Sequence, residues 1–221
     1  MLAPAMSELL TIVLATSNHG KIQELRALLA DLPIQLLSAR DVLGETPTIV
    51  EDGATFEANA LIKARAVCRA TRTLSLADDS GLEVDALGGR PGVRSARFAH
   101  ERATDAENNA ALLRELENIE EGSRSARFRC VLALANPWRE SEEYVAEGTC
   151  EGAIARTPRG NGGFGYDPLF LVAGMDGRAM AELSEADKNR VSHRARAVKQ
   201  LRRILIQIVN ERLDEAERIA G

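Results

Sequence analysis

Two adjacent carboxylates, Asp78 and Asp79, end an apolar run and are followed by Ser80 and a glycine. At the end of an apolar strand they sit where α/β sheets place ligand contacts. If the run is a strand through Asp79, the two side chains point to opposite faces, so one enters a given pocket and the other is structural. Upstream, "LATSNHGKIQEL" (14–25) passes from an apolar run through small polar residues into an amphipathic stretch. A strand end feeding a helix start there presents Thr16, Ser17, Asn18 and Gly20 as backbone N–H and hydroxyl donors, with Lys21 beside the positive end of a helix dipole. That pattern suits a phosphate. It is not a Walker A loop, which needs a glycine where Ala15 stands and a hydroxyl where Ile22 stands. An ordinary loop with a solvated lysine is the other reading.

Three further clusters carry polar residues that break the apolar pattern. Glu51 and Asp52 precede "TFEANALIKARAVCRA" (55–70), in which Phe56, Asn59 and Lys63 fall on one side of a helix. They make either a pocket wall or, for Lys63, a solvated face. "GNGGFGYDPLF" (160–170) has four glycines that permit close approach and positive φ around Phe164, Tyr166 and Asp167. Such a loop lays an aromatic ring against a flat ligand, or is simply a glycine-rich hairpin. It is not a Rossmann fingerprint opening a helix. "ELSEADKNRVSHRARAV" (182–198) brings Lys188, His193 and Arg194 near a helix start with Ser192 as a cap, although Arg196 and Arg202 also fit a solvated basic face.

The elements that must position these groups follow from periodicity. "TIVLAT" (11–16) reads as a buried strand, followed by a helix with Ile22, Leu25, Leu28 and Leu29 on one face. A helix over 55–70 leads to a strand over 73–79, and a Thr104/Glu107 capping box opens a helix carrying Leu112, Leu113, Leu116 and Ile119. Segments 126–136, 142–155 and 167–174 read as strands, and the chain ends in one or two helices. The sum is a mixed α/β fold with a long sheet.

Composition narrows the function. With 45% hydrophobic and 28% charged residues, the 221-residue chain is of globular type and long enough to bury a core without disulfides. Cys68, Cys130 and Cys150 are odd in number and lack zinc spacing, which predicts reduced thiols and a cytoplasmic protein. The opening residues carry no basic leader, and their apolar run is too short to span a bilayer, so no membrane association is expected. A net charge of −5 without a basic stripe argues against nucleic acid. An anionic ligand must therefore meet a local cluster of cations.

Taken in order, "ATSNHGKIQEL", "EDGATFEANALIKA", "ADDSGLEVDALGGRPGVRSARFA", "GGFGYDPLF" and "AELSEADKNRVSHRARA" resemble the inosine triphosphate pyrophosphatase family, over roughly residues 11 to 200. The resemblance implies an elongated central mixed sheet flanked by helices, two lobes with an active-site cleft between them, a homodimer, and Mg²⁺-dependent release of pyrophosphate from non-standard purine nucleoside triphosphates. It gives Thr16, Ser17, Asn18, His19, Gly20 and Lys21 to triphosphate binding, with Lys63 as a further cation, and Asp79 to catalysis and metal, with Glu51 as the second metal ligand. Ser80, the segment Phe164, Gly165, Tyr166 and Asp167, and then Lys188, His193 and Arg194 become substrate contacts. Residues 1–10 are left as an extension, 11–207 as a single domain and 208–221 as a helical tail. Trp138, in a stretch that matches no motif, is a loop residue. Rival readings are a Maf-like pyrophosphatase acting on other bases, a P-loop-like triphosphatase that would release orthophosphate, and a nucleotide-binding regulatory module without turnover.

Overall fold

The computed structural model describes residues 9–45, 47–139 and 142–220. The expected N-terminal extension lies, through residue 8, outside them, as do residues 140 and 141 of the motif-free stretch. Six strands form one mixed sheet in the order β2-β1-β3-β4-β5-β6: β1 (Leu10–Leu14), β2 (Ile34–Ser38), β3 (Leu74–Val84), β4 (Ser125–Ala135), β5 (Glu143–Ile154) and β6 (Phe170–Val172). The helices are α1 (His19–Leu28), α2 (Ala39–Leu43), α3 (Phe56–Thr71), α4 (Asp105–Glu115), α5 (Glu185–Val191) and α6 (His193–Ala220). The chain divides into two compact units, one of residues 1–78, 131–146 and 197–221, the other of residues 79–130 and 147–196.

In the first unit, β1 pairs in parallel with both β2 and β3. Parallel neighbours require crossovers, which α1 supplies between β1 and β2, and α2 and α3 between β2 and β3. The chain thus leaves β1 toward one side of the sheet and returns on the other, making the carboxyl end of β1 a topological switch point, where open α/β sheets bind ligands. Ile12, Val13 and Leu14 are wholly buried, as are Leu25 of α1 and Ala60, Ala64 and Val67 of α3. Burial of each larger aliphatic side chain contributes roughly 1.5–3 kcal/mol. No periodicity had marked β2 or α2. Every residue of β2 is only half-buried, as befits an edge strand without an inward and an outward face. Five residues of α2 are too few to show a helical period; a Ser38/Asp41 capping box starts the helix and left-handed Gly44 stops it.

The second unit packs Leu82, Val84, Leu112, Leu116, Phe128, Ile154, Tyr166, Leu169 and Phe170 into one core. The expected Thr104/Glu107 capping box is present at α4. That helix stops at Glu115, short of Ile119, because buried Arg124 donates to the carbonyls of Leu116 (2.5 Å) and Ile119 (3.1 Å). β6 is shorter than the span expected over 167–174, because Asp167 and Leu169 donate their amides to the carbonyls of Phe164 and Tyr166 in a turn. Its antiparallel pairing with β5 needs Gly152, where a Cβ would lie 2.2 Å from the Leu171 carbonyl oxygen. Ser192 separates α5 from α6 and accepts from the Ala195 amide at 3.2 Å, the cap the sequence suggested. The expected boundary at 207/208 falls inside α6, which is continuous.

Candidate active site

At the carboxyl end of β1, the Ala15 amide bonds to the Leu76 carbonyl (2.9 Å), holding the following loop beside β3. Asn18 caps α1 by accepting from the Lys21 amide at 3.1 Å, and Thr16 Oγ1 accepts from the Asn18 amide at 3.2 Å. Ser17, Asn18 and His19 are exposed, and Gly20 is half-buried. Helix N–H groups and a small polar loop therefore face solvent together, the arrangement that binds phosphate.

Lys21 is not a solvated lysine. Its Nζ lies 2.6 Å from Asp78 Oδ1, and the Asp78 side chain is fully buried. Lys63 is buried as well; its Nζ donates to Glu51 Oε2 at 2.9 Å and to the Asp78 carbonyl at 3.0 Å. Two ammonium groups thus converge on Asp78, Lys21 on its carboxylate and, at 3.5 Å, on its carbonyl, and Lys63 on its carbonyl. A buried ammonium keeps its charge only beside such acceptors. Asn59, on the same face of α3, is also buried, and it accepts from the Gly53 amide at 2.8 Å, fixing the segment that carries Glu51 and Asp52. Of the DDSG pair, Asp78 is therefore the structural carboxylate, and Asp79 follows it on β3 with its side chain on the opposite face.

In the second unit, Arg194 is almost wholly buried, donates to Ser80 Oγ at 3.3 Å, and sets its guanidinium carbon 5.9 Å from the centre of the half-buried Phe164 ring. His193 stacks on Phe128 with ring centres 4.8 Å apart. Lys188 and Asp167 form a buried ion pair, Nζ to Oδ2 at 2.9 Å, and the same oxygen accepts from the Phe164 amide at 3.3 Å. The pair closes directly over Gly163, where φ is +79° and a Cβ would sit 1.9 Å from Asp167 Oδ2 and 2.4 Å from Lys188 Nζ. Only glycine fits there.

Tyr166 corrects the expectation of a substrate contact. It lies in the apolar core with its hydroxyl donating to the Ser95 carbonyl at 2.8 Å, and burial raises its pKa. Strand alternation does not operate in this turn, so the aromatic neighbours Phe164 and Tyr166 serve different purposes. Two residues of the site were missed by sequence reasoning. Asp105 and Asn109 of α4 hold Gly165 by its amide (2.7 Å) and its carbonyl (2.9 Å). Their spacing of four residues on a helix was the available signal, but nothing in the sequence said what that face meets.

Glu51 and Asp79 carry the hard oxygen donors that Mg²⁺ prefers. No cluster of at least three His, Cys, Asp or Glu side chains able to hold a metal occurs among the described residues. Two carboxylates alone would leave a bound ion to complete its coordination from substrate phosphates and water. Among the described residues no helix is long and apolar enough to cross a membrane. The three cysteines are free thiols, and all are buried.

The chain is similar to known proteins in family, in sequence and in fold. The Ham1 family model matches residues 12–204. The chain is 50% identical over 196 residues to a dITP/XTP pyrophosphatase of Bacillus licheniformis, spanning 89% of this chain and 98% of that protein. Against a dITP/XTP pyrophosphatase of Bacillus subtilis it is 47% identical over 193 residues, spanning 87% and 96%. Among solved structures, a HAM1 protein from Coxiella burnetii is similar with a TM-score of 0.81 at 44% identity, covering 90% of this chain and 100% of the other.

Proposed function

We propose that this chain, which belongs to the Ham1 family, hydrolyses the non-standard purine nucleoside triphosphates ITP, dITP and XTP to monophosphate and pyrophosphate, clearing them from the nucleotide pool. The relatives named dITP/XTP pyrophosphatase support the substrate class. The single observation that carries the reading is the convergence of Lys21 and Lys63 on Asp78, 2.6 Å from its carboxylate and 3.0 Å from its carbonyl, at the switch point where α1 begins. Such fixed cations answer a triphosphate that a chain of net charge −5 would otherwise repel.

Water attacks the α-phosphorus and the bridging oxygen leaves with pyrophosphate, spreading charge over the phosphate oxygens. The donors of Thr16, Ser17, Asn18, His19 and Gly20 take up that charge, with the ammonium of Lys21 beside them. An ammonium has three N–H donors, and pairing with one carboxylate orients it without exhausting it. Lys63 and Lys188 add positive charge in the same way. Glu51 and Asp79 would hold Mg²⁺, whose contribution when bound is to neutralise phosphate oxygens. Asp79 is the carboxylate assigned to the attacking water.

Selection rests on the base edge. Hypoxanthine and xanthine offer a 6-oxo acceptor, whereas adenine offers an amino donor. Arg194, buried and steadied by Ser80 and Phe164, is suited to donate to that oxygen, with His193 beside it, while Phe164 stacks on the base. A buried donor left unpaired by adenine excludes ATP. The family resemblance further supports a homodimer acting in the cytoplasm, without nucleic-acid or membrane partners. The test is a product assay over purine triphosphates with Mg²⁺. Pyrophosphate from ITP, dITP and XTP, and little from ATP or GTP, is expected; orthophosphate, or preference for ATP, refutes the proposal.

A further inference from the structure

We infer that Asp105 and Asn109 of α4 are positioning residues for the Phe164 ring, and through it for the base. This rests on the assignment of Phe164 to the base under the proposed function. Gly165 lies between Phe164, which is half-buried, and Tyr166, whose ring is locked in the core by its hydrogen bond to Ser95. Asp105 Oδ2 accepts from the Gly165 amide at 2.7 Å, and Asn109 Nδ2 donates to the Gly165 carbonyl at 2.9 Å. The two peptide planes flanking Gly165 are thus both held by one helix face. The first of these planes contains the Phe164 carbonyl, and the Phe164 amide on its other side is held by Asp167 Oδ2, so both planes flanking the Phe164 Cα are fixed and with them the direction in which its side chain leaves the backbone.

Space does not explain this clamp. A Cβ at Gly165 would meet nothing within 4 Å, so the residue is glycine for its φ of +60° alone. Nor does the clamp look like an ordinary core contact. Asn109 Oδ1 is buried with no hydrogen-bond partner among the described residues. The bond this side chain does make is from its Nδ2 to the Gly165 carbonyl, so the amide serves the turn rather than the core. From the other side, the Phe164 amide is held by Asp167, and Arg194 lies over the ring. The turn is therefore gripped on both sides, and only the α4 side is separate from the residues assigned to substrate.

The test uses full-length protein labelled with 4-fluorophenylalanine at its five phenylalanines, the Phe164 resonance being assigned by its loss in Phe164→Leu. In Asp105→Ala and Asn109→Ala the Phe164 fluorine line should shift or broaden. KM for ITP should rise roughly tenfold with little change in kcat, since a binding contact shared by ground and transition states is what weakens. Inhibition by inorganic pyrophosphate, which engages only the phosphate side, should not change. Asp105→Asn, which keeps an acceptor oxygen, should restore most of the loss. An unmoved fluorine line in folded variants overturns the inference, and so does a moved line with unchanged KM. If the unmodified protein releases no pyrophosphate from ITP, the proposed function falls instead, and the fluorine line still decides whether α4 holds the ring.

Discussion

Replacing Asp78 by Asn separates the structural carboxylate from the chemical one. The substitution keeps size and the main-chain carbonyl but removes the charge that holds Lys21 Nζ at 2.6 Å. Breaking a buried ion pair from one side costs about 3–5 kcal/mol. The Asp78 side chain is fully buried while that of Lys21 is 14% exposed, so the low end, about 3 kcal/mol, applies. For a chain of this length each kcal/mol shifts the melting temperature by about 2–4 °C, which gives a fall of about 6–12 °C. Lys63 keeps its bond to the Asp78 carbonyl, so kcat/KM for ITP should fall by less than about tenfold, the loss appearing mainly in KM through Lys21. Lys21→Met should destabilise similarly by stranding the carboxylate, and the double variant should lose less than the sum, with a coupling of about 1–3 kcal/mol. Calorimetry on the four proteins, with steady-state kinetics, measures all of this. A melting temperature within about 1 °C of the parent, or strictly additive losses, would refute the anchor.

Asp79→Asn should lower turnover by at least about a hundredfold while nucleotide binding, followed by calorimetric titration, persists; loss equal to that of Asp78→Asn in folded protein would mean the carboxylates are assigned the wrong way round. Gly163→Ala should abolish activity and lower stability sharply, because its Cβ meets Asp167 and Lys188, whereas Gly165→Ala, with open space around it, should lose only about 1–2 kcal/mol for its φ. Chemical denaturation of the pair distinguishes clash from conformational strain. Burial, opposed only in part by Arg196, pushes the Cys150 thiol up to about 11 from 9.0. The unfolded chain therefore releases this proton first, and stability present below pH 9 should fall by up to about 1.4 kcal/mol per pH unit between pH 9 and 11. Cys150→Ala should flatten that part of a denaturation-versus-pH curve, and an unchanged slope would show that the thiol does not contribute.

Much of this arrangement was legible in the sequence where one residue's type sets its own conformation. The Thr104/Glu107 box, the Ser192 cap, the buried β1 strand and the α3 helix all follow from local chemistry. Partners were not legible. That Lys21 meets Asp78 across 57 positions, and Gly165 meets Asp105 across 60, depends on crossovers that no local pattern encodes. Tyr166 shows the same limit from the other side. Its motif placed it with Phe164, but the positive φ of Gly165 turns the chain between them and sends the tyrosine into the core. Short β2 and α2 escaped because an evenly half-buried strand and a five-residue helix carry no period to read.

The central claim is that this chain splits the bond between the α- and β-phosphates of non-standard purine triphosphates. Hydrolysis of ITP in ¹⁸O-labelled water with Mg²⁺, followed by mass spectrometry of the products, tests it most directly. Attack at the α-phosphorus predicts one labelled oxygen in inosine monophosphate and none in pyrophosphate. Label in pyrophosphate, or in released orthophosphate, would contradict the account.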